Sequence, residues 1–213
     1  MPVRALLFDF NGTLSDDERA QCEIYRRLFA GQGRPLTPEQ YFAELAGFSD
    51  EEIVERWLGP GHPAAAGLIA DRIRLYQETV ADGSTVPAHV REAVRAAAGR
   101  ARLAVVSGAA RVEVESVSRA AGIDVFDALV TMEDVEHGKP DPAGYLLALR
   151  LLGVPAVEAV AFEDTEPGVQ AAKTAGLYTV AVLGTMPAER LAAADELAPR
   201  LDLPLVERLL ARA

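Results

Sequence analysis

"VAFEDTEPGVQAAKTAG", residues 160–176, holds a strand, an acidic turn and a helix in one short stretch. The apolar run Val160-Ala161-Phe162 stops abruptly at Glu163-Asp164-Thr165, and a helical pattern follows with Pro167 near its start and Gly176 at its end. Proline early and glycine late is the expected helix punctuation. A short, continuous apolar run with no polar alternation reads as a strand covered on both faces, which means a parallel sheet. The same kind of run recurs at residues 3–8, 103–106, 128–130 and 179–183. Between the runs lie helical patterns. Pro87 opens one that Gly99 closes, residues 111–121 end at Gly122, and Asp141-Pro142, read as N-cap and first helical residue, opens one that Gly153 closes. Strand and helix in alternation predict an α/β fold with helices on both faces of a parallel sheet.

Residues 14–84 break that rhythm. Four helical stretches are expected there: 15–30 with Ser15 and Glu18 as a capping box, one opened by Thr37-Pro38-Glu39-Gln40, one by Ser49-Asp50-Glu51-Glu52, and 64–80. The expected organisation is a core from residues 1–14 and 85–213, with a four-helix cap, residues 15–84, inserted after the first strand.

Composition narrows the class. The 213 residues carry 32 acidic and 21 basic side chains, a net charge of −11. That balance argues against a nucleic-acid surface or an anionic membrane and leaves room for a small phosphorylated ligand in a local basic pocket. No apolar stretch approaches the length of a membrane span, and the single Cys22 cannot form an internal disulfide. A cytoplasmic protein, monomer or weak dimer, is expected. Only two lysines occur, Lys139 and Lys173.

In open α/β sheets, ligands bind beyond the carboxyl ends of the strands, so the polar residues ending the apolar runs are the ones to weigh. They are Asp9 after residues 3–8, Ser107-Gly108 after 103–106, and Glu163-Asp164-Thr165 after 160–162, with Lys139 in the loop after 128–130. Taken singly, each is an ordinary cap or turn residue. Together they supply what a metal and a phosphate need: carboxylates for Mg²⁺, an ammonium and a hydroxyl for phosphoryl oxygens, and a carboxylate, Asp9, to attack phosphorus.

With those residues in place the sequence resembles the haloacid dehalogenase-like hydrolases, in the branch with a small helical cap. "FDFNGTL" (8–14) resembles the first motif of that superfamily, "VVSGA" (105–109) the second, "GKPDP" (138–142) the lysine motif and "FEDTEPGVQAAKTAG" (162–176) the fourth. The resemblance implies a Rossmann-like core, Mg²⁺ as cofactor, and hydrolysis of small phosphate monoesters through a phosphorylated Asp9. It assigns Asp9 as nucleophile and ligand, the main-chain oxygen of Asn11 and the Asp164 carboxylate as further ligands, and Glu163 as ligand or neighbour of one. Ser107, Gly108 and Lys139 would hold the phosphoryl group.

Asn11 is where the chain departs. Phosphatases of this kind carry a second aspartate there, which protonates the leaving alcohol and later activates water. An amide has no accessible pKa, and a positioned general acid or base contributes about 10²–10⁴ in rate. Asp16, Asp17, Glu18 and His137 are the nearby candidates to substitute for it. The departure also keeps open a non-catalytic paralogue that binds a phosphorylated metabolite or a protein partner. Schiff-base chemistry with a cap lysine is excluded, because residues 14–84 contain no lysine. Phe48 is expected on a substrate-facing cap turn, Trp57 and Tyr76 in the cap core, His62 in a loop, and Arg56 and Lys173 at the surface.

Overall fold

The computed structural model describes residues 2–80 and 82–211. Six parallel strands form one sheet in the order β3-β2-β1-β4-β5-β6. They are β1 (Ala5–Phe8), β2 (Arg102–Val106), β3 (Ala128–Val130), β4 (Ala159–Glu163), β5 (Tyr178–Val182) and β6 (Glu196–Ala198). All five apolar runs read from the sequence are strands. β1 is central, in register with β2 through Phe8–Val105 and with β4 through Phe8–Phe162. Its residues alternate between two cores, as the strand period requires. Leu6 and Phe8 face one cluster and Ala5 and Leu7 the other. The first core lies under α5 (Ala88–Ala97), α6 (Arg111–Ala121) and α9 (Leu203–Leu210), and the second under α7 (Ala143–Leu152) and α8 (Glu166–Thr174). Phe8 and Phe162 stack at 4.9 Å between centroids.

Between β1 and α5 come α1 (Glu18–Gly31), α2 (Pro38–Gln40), α3 (Asp50–Leu58) and α4 (Ala65–Val80). α2 is a single turn that widens into a π-helical turn over Tyr41–Leu45. These helices share a core of Tyr25, Phe29, Tyr41, Ile53 and Trp57, and that cluster runs on into Val169, Ala181 and Met186 beside the sheet. The helices therefore sit directly over the carboxyl ends of the strands. The two chain crossings between these helices and the sheet lie side by side, with Asp16 N donating to Thr85 O at 2.8 Å and Ser15 Oγ to Thr85 Oγ1 at 2.7 Å.

That second bond corrects one expectation. Ser15 does not cap α1. The helix starts three residues later, with Asp17 at its N-cap and no side-chain cap bond, because Ser15 is spent on Thr85 and Glu18 accepts from Tyr41 Oη. The predicted caps Thr37 and Ser49 do form complete capping boxes. At α7 the cap is shifted by one: Pro142 is the N-cap, and Asp141 before it accepts from Ala143 N at 2.8 Å. β6 and α9 had no counterpart in the sequence reading.

Candidate active site

β1 sends the chain to β2 on one side, and β4 lies on the other, so the crevice between the ends of β1 and β4 is the switch point where open α/β sheets bind ligands. Asp9 and Asp164 are the residues just past those two ends. Asp9 N continues the ladder to Phe162 O at 2.9 Å, which fixes the carboxylate at the mouth of the crevice. One oxygen each from Asp9, Glu163 and Asp164 lie within 4.8 Å of one another, and all three residues are buried.

Lys139 reaches into this cluster from the loop after β3. Its ammonium bonds Asp9 Oδ1 at 2.5 Å and lies 2.6 Å from Glu163 Oε1. Burial alone would lower its pKa, but Asp9 and Glu163 on either side hold it above the ordinary lysine value. Tyr145 Oη donates to the same Glu163 oxygen at 2.5 Å. Glu163 is thus occupied in holding Lys139.

Asp164 accepts from Thr13 Oγ1 at 3.1 Å, while its Oδ2 is buried without a hydrogen bond. Desolvation, with Asp9 adding to it, raises the Asp164 pKa well above the carboxylate range. Three buried carboxylates against one ammonium leave uncompensated negative charge and two oxygens, Glu163 Oε2 and Asp164 Oδ2, without a hydrogen-bond partner among the described residues. A hard divalent cation with oxygen ligands fits this donor set. Gly12 makes the approach possible. It has φ +81°, and a Cβ there would stand 1.8 Å from Asp164 Oδ2.

Ser107 follows β2, with Ser107 N on Val130 O at 2.9 Å, and its Oγ accepts from Ala109 N at 3.1 Å. It lines, with Gly108, Lys139, Asp9 and Asn11, a cavity of about 50 Å³ closed from above by α1, α3 and the Gly47-Phe48 turn. Gly47, at φ +90°, lets that turn settle on Thr165, 2.7 Å from where its Cβ would be. The structure therefore brings Asp9, Asn11, Ser107, Gly108, Lys139, Glu163 and Asp164 to one place.

Asn11 is held by Asp17, one of the four candidates named from the sequence, and by Tyr76, which the sequence did not tie to it. Its Nδ2 donates to Asp17 Oδ2 at 3.0 Å and, at 3.4 Å, to Tyr76 Oη, which itself donates to Asp17. With the amide nitrogen so engaged, the amide is oriented. Burial pushes the Asp17 carboxyl up to about 6, against the bonds from Tyr76 and Asn11 that stabilise its anion. Glu18 lies beside Asp9 and Asn11 in the cavity wall, and burial, with Asp17 and Asp9 adding to it, lifts its carboxyl to about 8.

Of the four candidates to replace the missing aspartate, these two are at the site. Asp16 is exposed, and His137 is exposed along the wall of a neighbouring cavity. Tyr76 is in the core as expected, yet its hydroxyl reaches the site. Trp57 is buried with its indole on Arg34 O, Arg56 stacks on Phe48 at 3.6 Å, His62 Nδ1 accepts from Ala64 N within its own loop, and Lys173 pairs with Asp195.

Known proteins match along the same lines. The sequence profile of the haloacid dehalogenase-like hydrolases matches residues 6–182. Validoxylamine A 7'-phosphate phosphatase of Streptomyces hygroscopicus subsp. limoneus is 31% identical over 210 residues, covering 91% of this chain and 92% of that protein. The fructose-1-phosphate phosphatase YqaB of Escherichia coli is 29% identical over 182 residues, 83% of this chain and 95% of that one. Among solved structures, an Asp→Asn variant of CbbY from Rhodobacter sphaeroides in complex with xylulose-(1,5)bisphosphate superposes with a TM-score of 0.84, at 30% identity over 93% of this chain and 95% of that one. Strand order, strand-end carboxylates and these matches agree: the chain belongs to the haloacid dehalogenase-like hydrolase family.

Proposed function

We propose that this protein is a Mg²⁺-dependent phosphatase of small phosphorylated sugars or polyols, with Asp9 as its nucleophile. The observation that carries the reading is the buried cluster in which Lys139 bridges Asp9 and Glu163 beside the free oxygen of Asp164. Asp9, the main-chain oxygen of Asn11 and Asp164 would hold the cation, which neutralises phosphoryl oxygens and offsets the charge of the nucleophile. Glu163 acts at one remove by holding Lys139. The names of the phosphatase relatives support a phosphorylated carbohydrate as substrate.

Asp9 attacks phosphorus through one carboxylate oxygen as the bond to the leaving oxygen breaks; that oxygen departs with the bonding pair and takes its proton from solvent, giving an aspartyl-phosphate and an alcohol. Lys139 exchanges its carboxylate partners for phosphoryl oxygens as charge moves onto them, and Ser107 Oγ–H turns toward the same group. Water then attacks phosphorus as the bond to the Asp9 oxygen breaks and gives up a proton to solvent, releasing phosphate and restoring the Asp9 carboxylate. Asn11 orients the leaving oxygen or the water by hydrogen bonding and transfers no proton, so substrates with good leaving groups turn over best.

Residues 15–84 serve as the cap. A 50 Å³ cavity has room for a few waters at about 10–15 Å³ each and not for a sugar phosphate. A sugar phosphate enters only when these helices swing away from the sheet, and their return excludes water. The test is hydrolysis of p-nitrophenyl phosphate with and without Mg²⁺. Activity that requires Mg²⁺ and vanishes in Asp9→Asn is expected. Full activity in Asp9→Asn would remove the nucleophile assignment.

A further inference from the structure

Part of the cavity wall is built from α1, α3 and α4. Gln21 and Glu18 lie one helical turn apart on α1 and both face the cavity, together with Tyr25, Tyr41, Asp50 and Arg72. Gln21 is only 7% exposed, and its Oε1 has no hydrogen-bond partner. A buried amide oxygen without a donor costs stability, about 1–3 kcal/mol by the general behaviour of such groups, and it lines the space a leaving group must enter. The Glu18 carboxyl has one oxygen on Tyr41 Oη at 3.2 Å. The wall therefore presents, in Gln21 Oε1, an acceptor that lacks a donor among the described residues.

Its charges point the same way. Lys139 and Arg72 are the cationic side chains among the residues lining this cavity. Lys139 belongs to the transferring phosphoryl group. Arg72 is fully committed: Nε and Nη2 donate to Asp50 Oδ2, and Nη1 to Glu113 Oε1 at 2.6 Å. A second phosphate or a carboxylate on the leaving group would find no uncommitted cation among these residues. The adjoining cavity of about 370 Å³, which shares Ser107, Gly108 and Lys139, offers no refuge. Its wall carries Glu51, Glu52, Glu55, Glu136 and Asp141.

We propose that Glu18 and Gln21 form the leaving-group subsite, which takes hydroxyl donors from a neutral polyol and rejects a second anionic group. The substrate class is then polyol or sugar monophosphates, in contrast to the bisphosphate bound in the CbbY complex. The inference rests on the phosphatase reading above and specifies its substrate.

Fructose 1-phosphate, fructose 1,6-bisphosphate and 2-phosphoglycolate separate the possibilities, with p-nitrophenyl phosphate reporting phosphoryl transfer on a leaving group without aliphatic hydroxyls. In the Mg²⁺-loaded wild type, kcat/KM for fructose 1-phosphate should exceed that for the bisphosphate and for phosphoglycolate by about tenfold or more. Gln21→Leu should lower the ratio of fructose 1-phosphate to p-nitrophenyl phosphate kcat/KM about tenfold, in line with the loss of a buried hydrogen bond. Gln21→Arg, which supplies the missing cation, should move preference toward the bisphosphate.

Calorimetric binding of the same three phosphates to Asp9→Asn in Mg²⁺ asks the question without turnover. If p-nitrophenyl phosphate is not hydrolysed but the monophosphate binds selectively, the phosphatase reading fails and the subsite stands. Equal or tighter binding of the bisphosphate, or a preference indifferent to both Gln21 variants, overturns the subsite.

Discussion

Asn11 is the residue on which this site differs from a working acid–base pair, and its surroundings say what restoring the aspartate would do. An aspartate at position 11 would sit about where Nδ2 now lies 3.0 Å from Asp17 Oδ2. Two carboxylates that close cannot both ionise, so the pair would share a proton and titrate in two coupled steps. A protonated carboxyl beside the leaving oxygen is a general acid. Asn11→Asp should therefore raise kcat for a sugar phosphate about a hundredfold, within the usual range for such a group. The gain should fade above the upper apparent pKa of the pair. A pH–rate profile of both proteins checks this; an unchanged kcat across pH would mean that Asn11 does not stand next to the leaving oxygen.

Glu18 gives a second prediction, about stability. Its carboxyl is raised from 4.5 to about 8 in the folded chain, chiefly by burial. A raised acid holds its proton in the native state while the unfolded chain releases it. Its contribution is fully present below about pH 4.5 and is lost as pH rises toward 8. In EDTA, Glu18→Gln should flatten the fall in unfolding free energy across that window, by an amount on the order of a few kcal/mol. Denaturant melts at pH 5 and pH 8 measure it, and parallel pH dependences for the two proteins would contradict the assignment. Asp9, Lys139 and Asp164 were legible because each ends an apolar run or sits in a recognisable loop. Tyr76 and Gln21 were not, and Asp17 was one of four nearby candidates with nothing to single it out. Their roles come from a helix that begins at Glu18 and from α4 packing onto it, and neither fact is local in sequence.

At the scale of elements, the buried Arg72 joins three helices. It reaches Asp50 at the start of α3 and Glu113 in the first turn of α6, while Tyr25 of α1 donates to the other Asp50 oxygen at 2.5 Å. Replacing the arginine strands two carboxylates in a dry interface, and losing one partner of a buried network costs about 3–5 kcal/mol. Arg72→Met should lower the melting temperature by roughly 6 °C or more, taking about 2 °C per kcal/mol for a chain of this size. A drop of a degree or less in calorimetry would mean the network is solvated. The strands were readable because continuous apolar runs admit one interpretation in an α/β rhythm. The helices between β1 and α5 were readable where a complete box, as at Ser49 and Glu52, marks a start. Ser15-x-x-Glu18 matched the same pattern and failed, because Thr85, seventy residues on, competes for the hydroxyl. β6 is three residues with partly exposed side chains, so no apolar run announced it.

For the whole molecule, the balance of charge at the crevice decides how the protein answers to metal. The chain carries a net charge of −11, and the acidic cluster of Asp9, Glu163 and Asp164 gathers around the single Lys139. Without a cation, the native state bears this repulsion, and the unfolded chain does not. A ligand that binds only the native state stabilises it by about 2.7 kcal/mol at a hundredfold excess over its dissociation constant. That corresponds to a rise of about 5–10 °C in melting temperature for a chain of this length. Asp164→Asn should change both numbers in opposite directions. It removes a ligand, so the Mg²⁺-induced rise should shrink to a degree or two. It also removes a buried like charge, so the metal-free protein should melt higher than the wild type. Differential scanning calorimetry in EDTA and in excess Mg²⁺ reads both shifts in one experiment. A variant destabilised in EDTA would show that Asp164 supports the fold through Thr13, and a full Mg²⁺ shift in that variant would place the cation elsewhere.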